Sequence, residues 1–196
     1  NGHFVKKHVG GYLPFHIDLT PYLRPGQNRL RLTVRVQDFS DTSYHSRGKQ
    51  KLEPSGIYYT AQSGIWQTVW METVPKHHMT GVELYTDYDR HQVMVHIHEK
   101  HGSVSPWVRI KVWDAVILAN DKKGLFPCEG KPVIDREFGS RKFTLDIASP
   151  KSWTPQTPYL YPAQITSGND TVYCYFAMRC FSVEKDEQGI QRICLN

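Results

Sequence analysis

The sequence predicts an all-β fold made of two consecutive β-domains. Short segments in which apolar and polar residues alternate recur along the chain, and turn-forming residues separate them. No segment shows the 3.6-residue apolar period of an amphipathic helix. In the second half, about seven short strands follow one another at intervals of about 8–15 residues, which is typical of an immunoglobulin-like sandwich.

The chain opens on Asn1-Gly2, a dipeptide that favours a two-residue hairpin turn because both residues tolerate a positive φ. A strand is predicted to follow over residues 3–8. We therefore expect the chain to be a fragment whose preceding strand is missing; the alternative is a flexible terminal dipeptide. Further on, Thr20 and Pro21 have the residue types of a helix cap and a first helical position, and they predict one short helical turn.

Two further strands are predicted in the first half, over residues 29–36 and 65–72. In the first, the apolar side chains share one face: Leu30, Leu32, Val34 and Val36. In the second, Trp66 and Trp70 share a face, so that face is expected to lie against a large surface. Packing against a core or a neighbouring domain is the favoured interpretation, and a stacking platform for sugars is the alternative.

The second half contains the more regular series of predicted strands. Their ranges are 78–84, 93–98, 108–115, 142–147, 163–166, 171–176 and 179–185. Within one of them, Val93, Val95 and Ile97 alternate with polar residues and are predicted to form its buried face.

Composition and charge exclude several classes of protein. The net charge is +5 and the hydrophobic fraction 39%. The basic residues are scattered and form no basic helix, so no nucleic-acid partner is expected. No run approaches the roughly 20 apolar residues of a membrane span. The four cysteines form no CxxC pair, so free thiols are favoured over a zinc site.

Three parts of the sequence carry a resemblance to a known family. The first part comprises Asn1-Gly2, Gly10-Gly11-Tyr12, Phe15, Asp18-Leu19-Thr20 and Gly26-Gln27-Asn28 with the alternating strand that follows. The second is the segment 63–72, Ser-Gly-Ile-Trp-Gln-Thr-Val-Trp-Met-Glu. The third is the segment 152–161 together with Phe176-Ala177-Met178-Arg179. In this order they resemble the non-catalytic β-domains of family 2 glycoside hydrolases, the β-galactosidase, β-glucuronidase and β-mannosidase group.

The resemblance implies a specific architecture: an incomplete jelly-roll β-sandwich followed by an immunoglobulin-like β-sandwich. Residues 1–75 would be the C-terminal part of the jelly-roll sugar-binding domain and residues 76–185 the immunoglobulin-like domain. Residues 186–196 would be a strand leading to a (β/α)₈ barrel that this chain lacks. The barrel would be an intramolecular partner.

The resemblance also implies where catalysis takes place in the parent enzyme. In the family, two glutamates on the barrel act as nucleophile and acid/base, and retaining glycosidases need them about 5–5.5 Å apart. None of Glu129, Glu137, Glu184 and Glu187 is predicted to form such a pair. We expect no catalytic residue and no cofactor in this chain, which should be inactive alone.

Five residues are predicted to contact a carbohydrate substrate of the parent enzyme. They are Arg47, Lys49, Gln50, Tyr58 and Tyr59. The first three lie in a long polar loop, and in the family a loop of the jelly roll can reach the barrel mouth. Tyrosine offers a flat apolar face to a sugar ring and a hydroxyl for hydrogen bonds. The alternative is a packed loop at a domain interface.

A histidine pair raises the question of a metal. His96 and His98 lie on one face of a predicted strand, with His101 nearby, and such spacing can hold a metal ion. No third ligand with a defined position is visible in the sequence. Solvent-facing histidines are therefore the favoured interpretation, and no metal site is expected.

The functional hypothesis is that the chain provides scaffolding domains, and a candidate substrate loop, to an enzyme hydrolysing terminal β-glycosidic bonds, with β-galactosides the leading substrates. The alternative is a stand-alone carbohydrate-binding or adhesion module. A first sheet without its preceding strand has an unpaired edge, which predicts oligomerisation through that edge or disorder near residues 1–10. The compartment is undecided, with a periplasmic or secreted location slightly favoured.

Overall fold

A computed structural model of the protein describes residues 2–26, 29–42, 44–100, 105–117, 126 and 128–196. These residues form twelve strands, one turn of 3-10 helix and no α-helix, which confirms the predicted all-β class. The chain divides into two compact units, Asn1–Met71 and Glu72–Asn196. In the described part of the chain, no helix has the length and apolar character needed to cross a membrane.

The second unit is a sandwich of two sheets. Its strands are β3 (Met79–Asp87), β4 (Gln92–Glu99), β5 (Val108–Val112), β6 (Val116–Ile117), β7 (Ile134–Phe138), β8 (Lys142–Asp146), β9 (Tyr159–Ser167) and β10 (Asp170–Phe176). One sheet has the order β3-β4-β8, and the other has the order β10-β9-β5-β7 with β6 also pairing with β9. All of these pairings are antiparallel.

The core of the sandwich is built by residues at alternate strand positions. Val93, Val95 and Ile97 of β4 are 0%, 2% and 3% exposed, so the predicted buried face is confirmed. They belong to one cluster with the inward residues of the other strands: Val108, Ile110, Val112, Leu145, Ala163, Ile165 and Phe176. Burying each such side chain contributes about 1.5–3 kcal/mol before the entropy of ordering is subtracted.

Two largely buried sets of polar contacts connect the ends of strands in the sandwich. The Met79 backbone N–H donates to Asp170 Oδ2 over 2.7 Å, which ties the start of β3 to the start of β10. The Arg141 guanidinium pairs with Glu99 at 2.9 Å, and Ser167 Oγ donates to the other oxygen of Glu99 at 2.6 Å. Because the side chains of Arg141 and Glu99 are only 20% and 10% exposed, water can replace little of this ion pair if either charge is removed.

The end of the second unit is a hairpin of β11 (Phe181–Lys185) and β12 (Gln191–Leu195). Immediately before it, the guanidinium of Arg179 lies 4.8 Å from the ring centre of Trp153 and 5.3 Å from that of Phe181. The backbone N–H of Trp153 also donates to the Met178 carbonyl at 2.9 Å. The segment 152–161 is thus held against the residues that precede β11.

The first unit contains little regular structure. Its described residues contain one turn of 3-10 helix at Thr20–Tyr22, which confirms the predicted short turn, although the cap is Leu19 rather than Thr20. They also contain two two-residue strands. These are β1 (Gln50–Lys51) and β2 (Tyr59–Thr60), which pair in parallel.

Three strands predicted in the first unit are wrong as strands. Residues 3–8, 29–36 and 65–72 belong to no sheet, and Leu32, Val34 and Val36 are 46%, 53% and 49% exposed. The physical reason is that a strand requires a hydrogen-bonded neighbour, and among the described residues none of these segments has a ladder partner. Oligomerisation through an unpaired edge stays a prediction.

Candidate functional site

Four of the five predicted sugar-contact residues lie together in the first unit. In the β1–β2 pair, Gln50 is the register partner of Tyr59, and the Tyr59 N–H donates to the Lys49 carbonyl at 2.7 Å. Tyr58 precedes Tyr59 and follows a tight turn, in which its N–H donates to the Ser55 carbonyl at 3.1 Å. The fifth residue, Arg47, is exposed and two positions before Lys49 in the chain.

The two tyrosines present different surfaces. Tyr59 is 72% exposed, whereas Tyr58 is 40% exposed and carries the ammonium of Lys51 at 4.2 Å from its ring centre. Such a cation–π contact orders the Tyr58 ring at modest energetic gain. On β1, next to Lys51, Gln50 Oε1 accepts a hydrogen bond from the backbone N–H of Gln62 at 3.0 Å, which fixes the side chain of Gln50.

This arrangement combines an exposed aromatic face with charged and amide groups. Sugar recognition uses such a combination, because the ring stacks on the apolar face of the sugar while polar groups reach its hydroxyls. Sequence reasoning selected the residues, but not Lys51, whose contact with Tyr58 depends on the parallel β1–β2 pairing.

The tryptophans of the segment 65–72 are exposed rather than enclosed by the described residues. Trp66 donates its indole N–H to the Gly11 carbonyl at 2.6 Å and meets the Tyr12 ring edge-on at 6.4 Å. Trp70 is exposed as well. The indole contact joins two of the segments that carry the family resemblance, the one around Gly11 and the one around Trp66.

The second unit contains a cluster of metal-ligating groups on the outer face of β3 and β4. His96 Nδ1 lies 3.2 Å from Glu83 Oε2, and His98 Nε2 lies 3.0 Å from Glu83 Oε1. One donor atom from each residue falls within 4.8 Å of the others. Sequence reasoning found both histidines but missed Glu83, since only the register Glu83↔His96 places it beside them. His101 lies outside the described residues.

Hydrogen bonding governs the electrostatics of Glu83. The contact with His98, and next that with His96, lowers the pKa of the Glu83 carboxyl below its usual value, while desolvation opposes them. Tyr85 Oη also donates to Glu83 Oε2 at 3.3 Å. The carboxylate is therefore ionised at neutral pH and can serve as an acceptor or a ligand.

Cys174, Cys180 and Cys194 are free thiols and each is partly buried. Burial raises the pKa of Cys174, on β10, to about 11. A thiol with that pKa is overwhelmingly protonated at neutral pH, so Cys174 is poorly nucleophilic.

Comparison with known proteins identifies a family through its sequence model, which matches within the second unit, and through relatives that match most of the chain. The sequence model of glycosyl hydrolases family 2 matches residues 77–179. A putative beta-glucuronidase of Formosa agariphila is 25% identical over 170 residues, which are 84% of this chain and 18% of that protein. A beta-galactosidase of Klebsiella pneumoniae is 29% identical over 177 residues, which are 85% of this chain and 16% of that protein.

A third relative has a similar extent of match. It is a beta-galactosidase of Thermoanaerobacter pseudethanolicus, 27% identical over 172 residues that make up 84% of this chain and 21% of that protein. The chain therefore spans about a fifth of the length of these curated relatives.

The comparison with solved structures gives partial matches to beta-glucuronidases. One, from Ruminococcus gnavus, has a TM-score of 0.44 and 16% identity, covering 63% of this chain and 18% of that one. Another, from Faecalibacterium prausnitzii, has a TM-score of 0.44 and 24% identity, covering 62% and 17%.

The match to the family's sequence model begins just before β3 and ends after β10, so it includes both sheets of the sandwich. Residues 77–179 make up more than half of the 196 residues. The chain therefore belongs to family 2 of the glycosyl hydrolases.

Proposed function

We propose that this chain forms non-catalytic β-domains of a glycoside hydrolase that cleaves terminal β-linked sugars, with β-galactosides the leading substrates. The observation that carries the proposal is the family match over residues 77–179, which coincides with a complete two-sheet core. Two of the relatives described above are beta-galactosidases, which favours a galactoside over a glucuronide.

The proposal includes the identity of each region. Residues 1–75 would be part of a jelly-roll domain, 76–185 an immunoglobulin-like domain, and 186–196 a strand leading to a catalytic barrel. The strand orders β3-β4-β8 and β10-β9-β5-β7 support the second assignment, because they divide seven strands between two sheets as immunoglobulin-like domains do.

The role of the second unit would be structural support for the active centre. A sandwich with a closely packed interior changes shape little, so it can hold neighbouring elements in fixed positions. The partners of the chain would be the catalytic barrel and, through it, the carbohydrate substrate.

The test compares the isolated chain with a longer product of the same gene. Coding sequence beyond Asn196 should specify a barrel with two catalytic glutamates. The longer protein should hydrolyse a nitrophenyl β-galactoside, and the 196-residue chain should not. Another kind of domain after Asn196, or hydrolysis by the chain alone, would contradict the proposal.

Within this function, the β1–β2 residues would contribute to the sugar site of the longer enzyme. Tyr59→Ala should then raise KM for a disaccharide more than for a nitrophenyl glycoside, because only the disaccharide has sugar hydroxyls on the leaving-group side to which a tyrosine hydroxyl can hydrogen-bond. Tyr44→Ala is a matched control, since Tyr44 is also exposed and in the same unit. Equal effects of the two substitutions would argue against a specific contact.

A second candidate function is a stand-alone carbohydrate-binding module, which the exposed Tyr59 face beside Gln50 favours. It predicts saturable binding of a glycan by the 196-residue chain in calorimetry, lost with Tyr59→Ala and retained with Tyr44→Ala. The scaffold function predicts no heat of binding across a broad panel of sugars.

A further inference from the structure

The outer face of the β3–β4 pair carries three metal-ligating side chains at adjoining positions. Glu83 is directly across the ladder from His96, and His98 is two residues further along β4. Alternation along β4 directs Val95 and Ile97 into the core, so the two histidines lie on the opposite face. We propose that Glu83, His96 and His98 form a binding site for a divalent transition-metal ion of the Zn²⁺ type.

The donor atoms lie close to the spacing that such an ion requires. Glu83 oxygens lie 3.2 Å from His96 Nδ1 and 3.0 Å from His98 Nε2, and one donor from each residue falls within 4.8 Å of the others. A tetrahedral ion with bonds of about 2.1 Å separates its ligands by about 3.4 Å. Small side-chain rotations therefore suffice, and the backbone does not have to move.

The set of donors selects the kind of ion. Two imidazole nitrogens and one carboxylate oxygen suit zinc, and also cobalt, nickel or copper, whereas calcium and magnesium prefer oxygen ligands alone. Three protein ligands leave a fourth tetrahedral position for water. The side chains of His96, Glu83 and His98 are 29%, 42% and 43% exposed, which gives a hydrated ion access to the site.

Neighbouring residues hold the ligands in position. Gly81 is the register partner of His98, and the His98 ring lies against it: a Cβ at Gly81 would be in ordinary van der Waals contact with His98 Cδ2, at 3.5 Å. The hydroxyl of Tyr85 donates to Glu83 at 3.3 Å and orients the carboxylate. Groups around the ligands that orient them typically change metal affinity by about 10–100-fold.

One charge opposes binding. Lys142 of β8 is the register partner of His96 on its other side, so its side chain belongs to the same outer face. The positive charge of its ammonium repels a metal cation. The negative charge of Glu83 attracts the cation and therefore acts against this repulsion. Lys142→Gln is therefore expected to tighten binding, which provides a variant with an effect of the opposite sign.

The experiment is a calorimetric titration of the 196-residue chain with ZnCl₂ in a buffer free of chelators. The expected result is one site per chain with a Kd in the micromolar range, weakened at least about 10-fold by Glu83→Gln and by His98→Asn. His91→Asn is the matched control, since His91 lies in the turn between β3 and β4 at a φ of 54°, which Asn tolerates. It should bind as the wild type does.

Cobalt provides a second measurement that does not depend on the stability of a variant. Co²⁺ added to the wild-type chain should give the intense visible absorption of a tetrahedral complex, and one equivalent of Zn²⁺ should abolish it. Absence of saturable Zn²⁺ binding in the micromolar range, or equal loss of binding in His91→Asn and His98→Asn, would overturn the proposal. In the latter case binding would be dispersed over the surface histidines.

Discussion

The two units contain similar alternating segments, but those of the second unit form buried strands and those of the first unit stay exposed and belong to no sheet. In the second unit, Val93, Val95 and Ile97 are at most 3% exposed and lie between two sheets. In the first unit, Leu32, Val34 and Val36 are about half exposed, and no described residues form a ladder with them. The apolar pattern is equally regular in both segments.

The difference shows that alternation specifies a face but does not specify a partner. A strand gains its hydrogen bonds and most of its burial from other segments of the chain. β4 has two such neighbours, β3 and β8, whereas residues 29–36 have none among the described residues. The contrast leads to four predictions, which run from the largest expected effect to the smallest.

The largest effect should appear in amide hydrogen exchange. Amides of β4 and β5 that bond across the ladders should exchange only on global unfolding, which for a domain costs about 5–15 kcal/mol. Amides of residues 30–36 should exchange through small local openings. Exchange followed by mass spectrometry would measure this contrast, and strong protection of residues 30–36 would show that the first unit has a ladder after all.

Truncation of a core residue should destabilise the second unit by about 3–4 kcal/mol. Ile110 is 0% exposed, and Ile110→Ala both removes buried apolar surface and leaves a cavity. Ile193→Ala is the matched control in the same unit, because Ile193 is 84% exposed. Urea unfolding would measure both, and equal losses would contradict the two-sheet core.

Removal of a buried charge should cost about 2–3 kcal/mol. Arg141→Ala leaves the buried Glu99 carboxylate without its guanidinium partner. Arg109→Ala is the control, because the Arg109–Asp135 pair is well formed at 2.7 Å but exposed to solvent, which screens it, and its removal should change stability much less than that of Arg141. A larger loss for Arg109→Ala in urea unfolding would reverse this ranking.

The smallest effect concerns the acid limb of stability. The Ile190 N–H and then Arg192 lower the pKa of Asp186 below its usual value. A carboxyl whose folded pKa is depressed stabilises the fold above its unfolded pKa of about 3.9, and this contribution is lost as the pH falls through the folded pKa. Asp186→Asn should therefore flatten the decline of thermal stability below about pH 4. An unchanged pH profile would contradict a role of Asp186 in the β11–β12 hairpin.

Several features of the second unit could be read from the sequence because they depend on local pattern. The predicted strands at 93–98, 142–147 and 171–176 all correspond to observed strands, and the buried face of β4 is correct. β7 was missed because Asp135, Arg136 and Glu137 interrupt the alternation at its centre, as is common for a strand at a sheet edge. Its identity as a strand comes from pairing with β5.

In the candidate sites, too, some residues could be predicted from local sequence signals and others could not. Gln50, Tyr58 and Tyr59 were selected from residue type, and the histidine pair from its spacing, since both signals are local. The contact of Lys51 with Tyr58 and the position of Glu83 between two imidazoles were not predictable, because cross-strand register brings those residues together.

The sequence by itself determined that this protein is all-β, which side chains of each regular strand share a face, and which known family the chain resembles. Only the tertiary structure decided which alternating segments become strands and which polar residues meet across them. The physical reason is that alternation is a property of neighbouring residues, whereas hydrogen-bonded pairing and burial are relations between segments distant along the chain.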